Sequence, residues 1–404
     1  MKGWACIRNR LILASPMPRR PSPYTPGAGA IPLVLAGRDA EVKAFQDMVD
    51  RLNRGQHARG LLLTGLRGVG KTALLGWYDE LGADMKWRVY REEFDGTTDL
   101  FPLLLDLAAD VVEELSLGKR FTAVVERIAG SVKKVSVPGV GSVEFDRSQR
   151  ETDQANLGRR VTRLLRQVAT AAEKSGTGVV FLFDEVQELN RADLAALLAG
   201  VHQTTQSAPP FAVVAAGLPP LAQQIREARA YAERLFEAHE LGALDEHAGP
   251  QAIVEPARLN EAGFDPDAVE LILERSDGYP HFIQVYADNA WHAATGDQIR
   301  RADVDRSLPA SEKQIEREIF RPRFNQGTPK ERDYMLAMAS LGDGPQATLR
   351  IAKAAGYAKT SQTAVFRDNL LEKHLIYSPD RGLLDFTIPH FSRYLRSIGG
   401  APEE

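Results

Sequence analysis

An apolar run, Leu61–Leu63, leads into Gly65-Leu-Arg-Gly-Val-Gly-Lys71-Thr72, and a helical segment from Ala73 to about Leu81 follows. This order of strand, glycine-rich turn and helix constrains the chain more than any other feature. The glycines let the backbone curl so that successive N–H groups face one anion, while Lys71 reaches its outer phosphates and the Thr72 hydroxyl offers a ligand to Mg²⁺. A helix beginning near Thr72 adds the positive end of its dipole. The stretch therefore reads as a P-loop that holds a polyphosphate through Gly65, Leu66, Arg67, Gly68, Val69, Gly70, Lys71, Thr72 and Ala73.

Such a loop needs a second strand ending in a carboxylate beside the metal. Val179-Val-Phe-Leu-Phe-Asp184-Glu185 has the length and the β-branched and aromatic character of a buried parallel strand. Asp184 is expected to orient Mg²⁺ together with Thr72, and Glu185 to polarise the water that attacks the terminal phosphate.

Composition narrows the remaining classes. With 404 residues, 44% of them apolar, two or three domains are expected. A net charge of -4 requires any nucleic-acid contact to be local. Cys6 is the single cysteine, which rules out a disulfide framework and suggests a reducing, cytoplasmic setting. No apolar run approaches the roughly 18 residues of a spanning helix. HExxH spacing and a Gly-x-Ser-x-Gly elbow are both missing from the sequence. Residues 1–34 read as an extended or disordered arm, and Met17 offers an alternative start.

Strand-like and helical segments alternate from Gly37 to about 248, with Asp39 as the expected cap of the first helix. Strands are expected at 61–63, 87–94, 179–184, 211–216 and 236–241, and helices at 99–115, 122–128 and 152–174. Glycine turns between short alternating runs suggest an inserted hairpin near 133–146. Alternation of this kind predicts a parallel sheet sandwiched by helices, with the ligand at the C-terminal ends of the strands. Residues 249–310 read as a helical lid, 311–327 as a charged linker, and 328–398 as three helices plus a two-stranded wing, a winged helix-turn-helix domain.

In this order the segments resemble the AAA/STAND-type ATPases, in particular the Orc1-like and archaeal-ATPase-like groups. Gly37-Arg38-Asp39, the P-loop, Phe183-Asp184-Glu185, Gly217-Leu-Pro219, Tyr231–Phe236, Gly278-Tyr-Pro280 and the tail carry the resemblance, which spans about residues 24 to 397. It implies an ASCE-type P-loop fold and ATP as the nucleotide. Gly37 and Arg38 would lie against the adenine edge, and Gly278 and Pro280 would pack on the base. Arg234 is the expected arginine finger, with Arg226, Arg229 and Arg258 as neighbouring alternatives. Two departures stand out: Ala215-Ala216-Gly217 lacks a polar sensor, and the lid segment from His281 to Tyr286 has no arginine, only Gln284 as a weak substitute. Slow hydrolysis is the expectation.

For the tail, a winged helix would meet double-stranded DNA through Lys359, Thr360, Ser361, Gln362 and Arg367 on its third helix, and Arg381 at the wing tip. Its charge is thin for that task, with 14 basic against 12 acidic residues from 311 onward. The sequence thus suggests an ATP-driven switch acting on DNA and forming a homo-oligomer in its ATP state. A nucleotide-gated signalling scaffold whose tail binds protein, and an Orc1-like replication initiator, stand as alternatives.

Overall fold

The computed structural model describes residues 21–27, 29–115 and 147–399, and for 147–155 the backbone alone. Cys6, Met17, the helix expected at 122–128 and the hairpin expected at 133–146 lie outside the described residues.

Five parallel strands form the central sheet: β1 (Gly60–Gly65), β2 (Arg88–Glu93), β3 (Val179–Asp184), β4 (Phe211–Gly217) and β5 (Phe236–Leu241), in the order β2-β3-β4-β1-β5. Pairings such as Leu182 with Val214 and Leu62 with Ala238 set the register. Both faces are covered, and the side chains divide between them with the period of two that a strand imposes. Phe181 and Phe183 of β3 join one apolar cluster with α3 (Leu100–Glu114), α4 (Arg147–Ser175) and α5 (Arg191–Thr205), while Val180 and Leu182 join another with α1 (Asp39–Asn53) and α2 (Lys71–Asp84). Near-continuous apolar runs are what a doubly covered parallel strand requires.

The helix expected to be capped by Asp39 begins one residue earlier in register, with Arg38 at the cap and Asp39 inside the first turn, where its charge complements the dipole. Close packing leaves no space in places. A Cβ on Gly178 would lie 2.1 Å from the Trp87 ring, which is itself locked by a bond from its Nε1 to Asn53 Oδ1 of 2.9 Å. Gly178→Ala is therefore expected to destabilise the protein by about 1–3 kcal/mol through overpacking, read as a lowered thermal midpoint.

After the sheet, helices at Ala248–Leu259, Pro266–Ser276, α9 (Pro280–Ala293) and α10 (Arg301–Ile315) form a helical region. The charged stretch expected to be a linker is instead helical: α10 runs through a π turn at Glu316–Phe320 into α11 (Arg321–Asn325). Glu312, Lys313, Arg317 and Arg321 are exposed, while Ser311, Ile315 and Phe320 are buried. A stretch that buries apolar side chains at helical spacing gains more from packing than from solvating its charges.

The tail comprises helices Pro329–Ala339, Thr348–Ala354, α14 (Ala364–Glu372) and Phe391–Gly399, with antiparallel strands β8 (Gln346–Ala347), β9 (Ile376–Tyr377) and β10 (Leu383–Phe386) in the order β8-β10-β9. One continuous apolar cluster joins Phe282 and Ile283 of α9 to Tyr334, Phe386 and Phe391 of the tail. Among the described residues no helix is long and apolar enough to cross a membrane.

Candidate nucleotide site

The P-loop turns between β1 and α2, and its backbone requires glycine at two points: Gly68 and Gly70 take φ of 81° and 94°. This left-handed region is easily reached only without a Cβ. Lys71 is buried at 6% exposure and its Nζ donates to Gly65 O at 2.9 Å and Leu66 O at 3.1 Å, so the ammonium is held inside the loop. Burial pulls its pKa below the ordinary lysine value, against the opposing pull of Glu185 and Asp184. Arg38 clamps the loop from outside, its Nη2 donating to Val69 O at 3.1 Å and to Gly242 O beyond β5 at 2.7 Å.

β3 delivers Asp184 directly beneath α2, where Thr72 Oγ1 donates to Asp184 Oδ2 at 2.6 Å. The hydroxyl and carboxylate expected to serve one Mg²⁺ are thus side by side. Among the described residues no group of three or more His, Cys, Asp or Glu side chains is arranged to hold a metal alone.

Glu185 takes φ of 51°, an uncommon conformation for a side-chain-bearing residue and one that collects at functional sites. Three contacts hold it: its N–H donates to Asp184 Oδ1 at 2.9 Å, Arg67 Nη1 lies 3.5 Å from its Oε1, and Gln187 Nε2 donates to its Oε2. Gln187 was missed at the level of sequence. Its own Oε1 accepts from Leu218 N–H at 3.0 Å, tying Glu185 to the end of β4, where no polar sensor side chain is present. Gly217 makes this possible, because a Cβ there would lie 2.4 Å from that oxygen.

Above the loop is a pocket of about 330 Å³. Arg67 to Ala73 and Glu185 line one part; Val34, Leu35, Leu244, Ala252, Tyr279 and Phe282 supply an apolar part. The arm reaches over it, with Tyr24 buried, Thr25 N–H donating to Gln284 Oε1 at 2.9 Å, and Gly29 so close that a Cβ would lie 3.1 Å from Thr72 Cγ2. Gln284 is therefore engaged by the arm rather than standing in for a sensor.

The other expected residues divide. Arg38 and Pro280 line the pocket, but Gly37 and Gly278 do not. Gly37 packs on Ala248, and Gly278, at φ of 71°, lets its carbonyl accept from Leu244 N–H at 2.8 Å. Gly65, Leu66 and Asp184 are not among the lining residues. Arg234 is exposed, in a short turn before β5, and within one chain takes no part in the lining. Two residues unmarked in the sequence are there instead: His281, whose N–H donates to Gly68 O at 3.1 Å, and Arg323. Burial lowers the His281 pKa, against the opposing charge of Glu318.

The tail also touches the loop. Arg67 N–H donates to Thr387 O at 3.0 Å, Ile388 and Pro389 complete the pocket wall, and His374 Nε2 lies 3.5 Å from Glu188 Oε1. His390 Nε2 lies 2.9 Å from Asp277 Oδ2 of the helical region.

Strand order, glycine cradle, buried lysine and the Thr72–Asp184 pair together define a P-loop nucleotide-binding α/β protein. Residues 34–214 match the model of the AAA ATPase domain family, and residues 317–395 match a domain of unknown function (DUF8462). Among solved structures, a Walker-type ATPase of Pyrococcus abyssi shares the fold at 14% identity, with a TM-score of 0.53 over 93% of this chain and 98% of that one. Also similar are the Aeropyrum pernix Orc1 protein in complex with DNA (15% identity, TM-score 0.47, 91% and 94% covered) and the Thermotoga maritima RuvB Holliday junction branch migration motor (16%, 0.44, 89% and 95%). No curated protein matches the chain in sequence.

Proposed function

We propose that the protein is an ATP-binding, slowly ATP-hydrolysing molecular switch of the AAA/STAND kind, in which the nucleotide governs a winged-helix tail that acts on DNA. The observation that carries this reading is the bond from Arg67 N–H of the P-loop to Thr387 O of the tail, 3.0 Å long. A ligand that repositions the phosphate-binding loop would act on this contact with the tail as well.

The roles follow from the geometry. Backbone N–H groups around Gly68 and Gly70 would cradle the phosphates, with Lys71 as their cation and the apolar wall with Pro280 receiving the base. Thr72 and Asp184 would hold Mg²⁺, which when bound offsets charge on the phosphates. Glu185 would take the proton of the attacking water, held in place by Gln187. Slow turnover is consistent with an exposed Arg234, which would act only from a neighbouring copy.

Since the tail and the helical region share one apolar cluster, they are expected to move together. Lys359, Thr360, Ser361, Gln362, Arg367 and Arg381 are the candidate contacts for duplex DNA. One observation favours the scaffold reading: Arg367 Nη2 is paired with Asp368 Oδ1 at 2.8 Å, and Val365 on the same helix α14 is 66% exposed.

Limited proteolysis, duplex-DNA binding and mass in solution, each with Mg-ATPγS and with Mg-ADP, test the proposal. The triphosphate should raise both protease access around 387–390 and DNA affinity. A tail that opens without any change in DNA affinity supports the scaffold. Identical tail protection with both nucleotides overturns the switch, and a mass that stays monomeric removes Arg234 from the mechanism.

A further inference from the structure

Three arginines line the pocket, and their situations differ. Arg38 is committed to Val69 O and Gly242 O, and Arg67 to Glu185. Arg323 enters from α11, and among the described residues its guanidinium makes no hydrogen bond and no ion pair, although its charge interacts with those of Arg67, Glu185 and Glu188. Burial is the main influence on it and opposes its charge. A half-buried cation without a partner, beside an anion-binding loop, is costly until an anion arrives.

The place of Arg323 follows from the helix. α10 runs through a π turn at Glu316–Phe320 into α11, and Glu318, Ile319 and Arg323 all line the pocket; Ile319 and Arg323, four residues apart, share one helical face.

The same segment is bonded to the tail. Arg332 Nε donates to Phe324 O at 3.2 Å and its Nη2 to Asn325 O at 2.9 Å, while Lys373 Nζ donates to Gln326 O at 3.1 Å. Arg323 is therefore followed directly in the chain by three carbonyls that accept from the tail.

We propose that Arg323 is a terminal-phosphate ligand supplied in cis: its guanidinium engages the outermost phosphate of a nucleoside triphosphate held by the P-loop and transmits the presence of that phosphate to the tail. This rests on the nucleotide reading above and adds to it the residue that separates a triphosphate from a diphosphate. A guanidinium presents a fork of donors suited to phosphate, which a lysine ammonium only partly replaces.

Calorimetric titration of the full chain with Mg-ATPγS and Mg-ADP decides it, using wild type, Arg323→Ala and Arg323→Lys. Loss of one charge-assisted contact should weaken ATPγS by roughly 10–100-fold in the alanine variant and less in the lysine variant, with ADP affinity within about 3-fold of wild type. The retained ADP affinity also establishes that the variants fold. Equal weakening of both nucleotides, or no change in ATPγS affinity, overturns the proposal while leaving the nucleotide reading intact. A wild type that binds neither nucleotide removes both.

Discussion

Glu185→Gln is expected to bind Mg-ATP as wild type does and to hydrolyse it about 10²–10⁴-fold more slowly, the range associated with loss of a positioned general base. The amide keeps the shape and still accepts from Gln187 Nε2, so the bridge to Leu218 N–H survives. It loses the charge that takes up the proton and that faces Arg67 across 3.5 Å. Single-turnover phosphate release measured beside equilibrium ATP binding separates the two effects. Hydrolysis within threefold of wild type would move the base elsewhere; loss of ATP binding would make Glu185 part of the cradle instead.

The second large effect is expected at Lys71, where stability and binding should part company. Its ammonium is buried against Gly65 O and Leu66 O, and burial already disfavours the charge. Lys71→Met keeps the stem and removes the ion, so the relief of burying that charge is set against two backbone acceptors left without their donor. The thermal midpoint without nucleotide should therefore shift far less than the nucleotide response. The stabilisation gained from ATP should nearly vanish: a ligand at a hundred times its Kd adds about 2.7 kcal/mol, and a hundredfold weaker site keeps only a few tenths of that. Thermal scans with and without Mg-ATP read both quantities. A variant that still gains the wild-type shift would show that Lys71 does not hold phosphate.

Much of the fold was legible because parallel strands buried on both faces leave continuous apolar runs. Val179 to Phe183 announced β3 and its doubly covered position. Less legible was the stretch 311–327, whose charges suggested a linker. Ile315 and Phe320 are too few among them to advertise a helix, and their burial depends on Phe282 and Phe391 arriving from elsewhere. Gln187 was hidden for another reason: it follows Glu185 by two residues and looks like turn polarity until β4 places Leu218 N–H beside it.

By itself the sequence determined the phosphate loop, Lys71, Thr72, Asp184 and Glu185, because their chemistry depends on backbone curl and on a strand ending in carboxylates, both local properties. Tertiary structure alone decided which arginines line the pocket. Arg234 and Arg323 are equally plausible as letters in a chain; within one chain the first is exposed in the turn before β5, and the second lines the pocket from α11. The contact of Thr387 with the P-loop belongs to the same category. A backbone carbonyl has no signature in sequence, and only the packing of the tail against the helical region brings this one to Arg67.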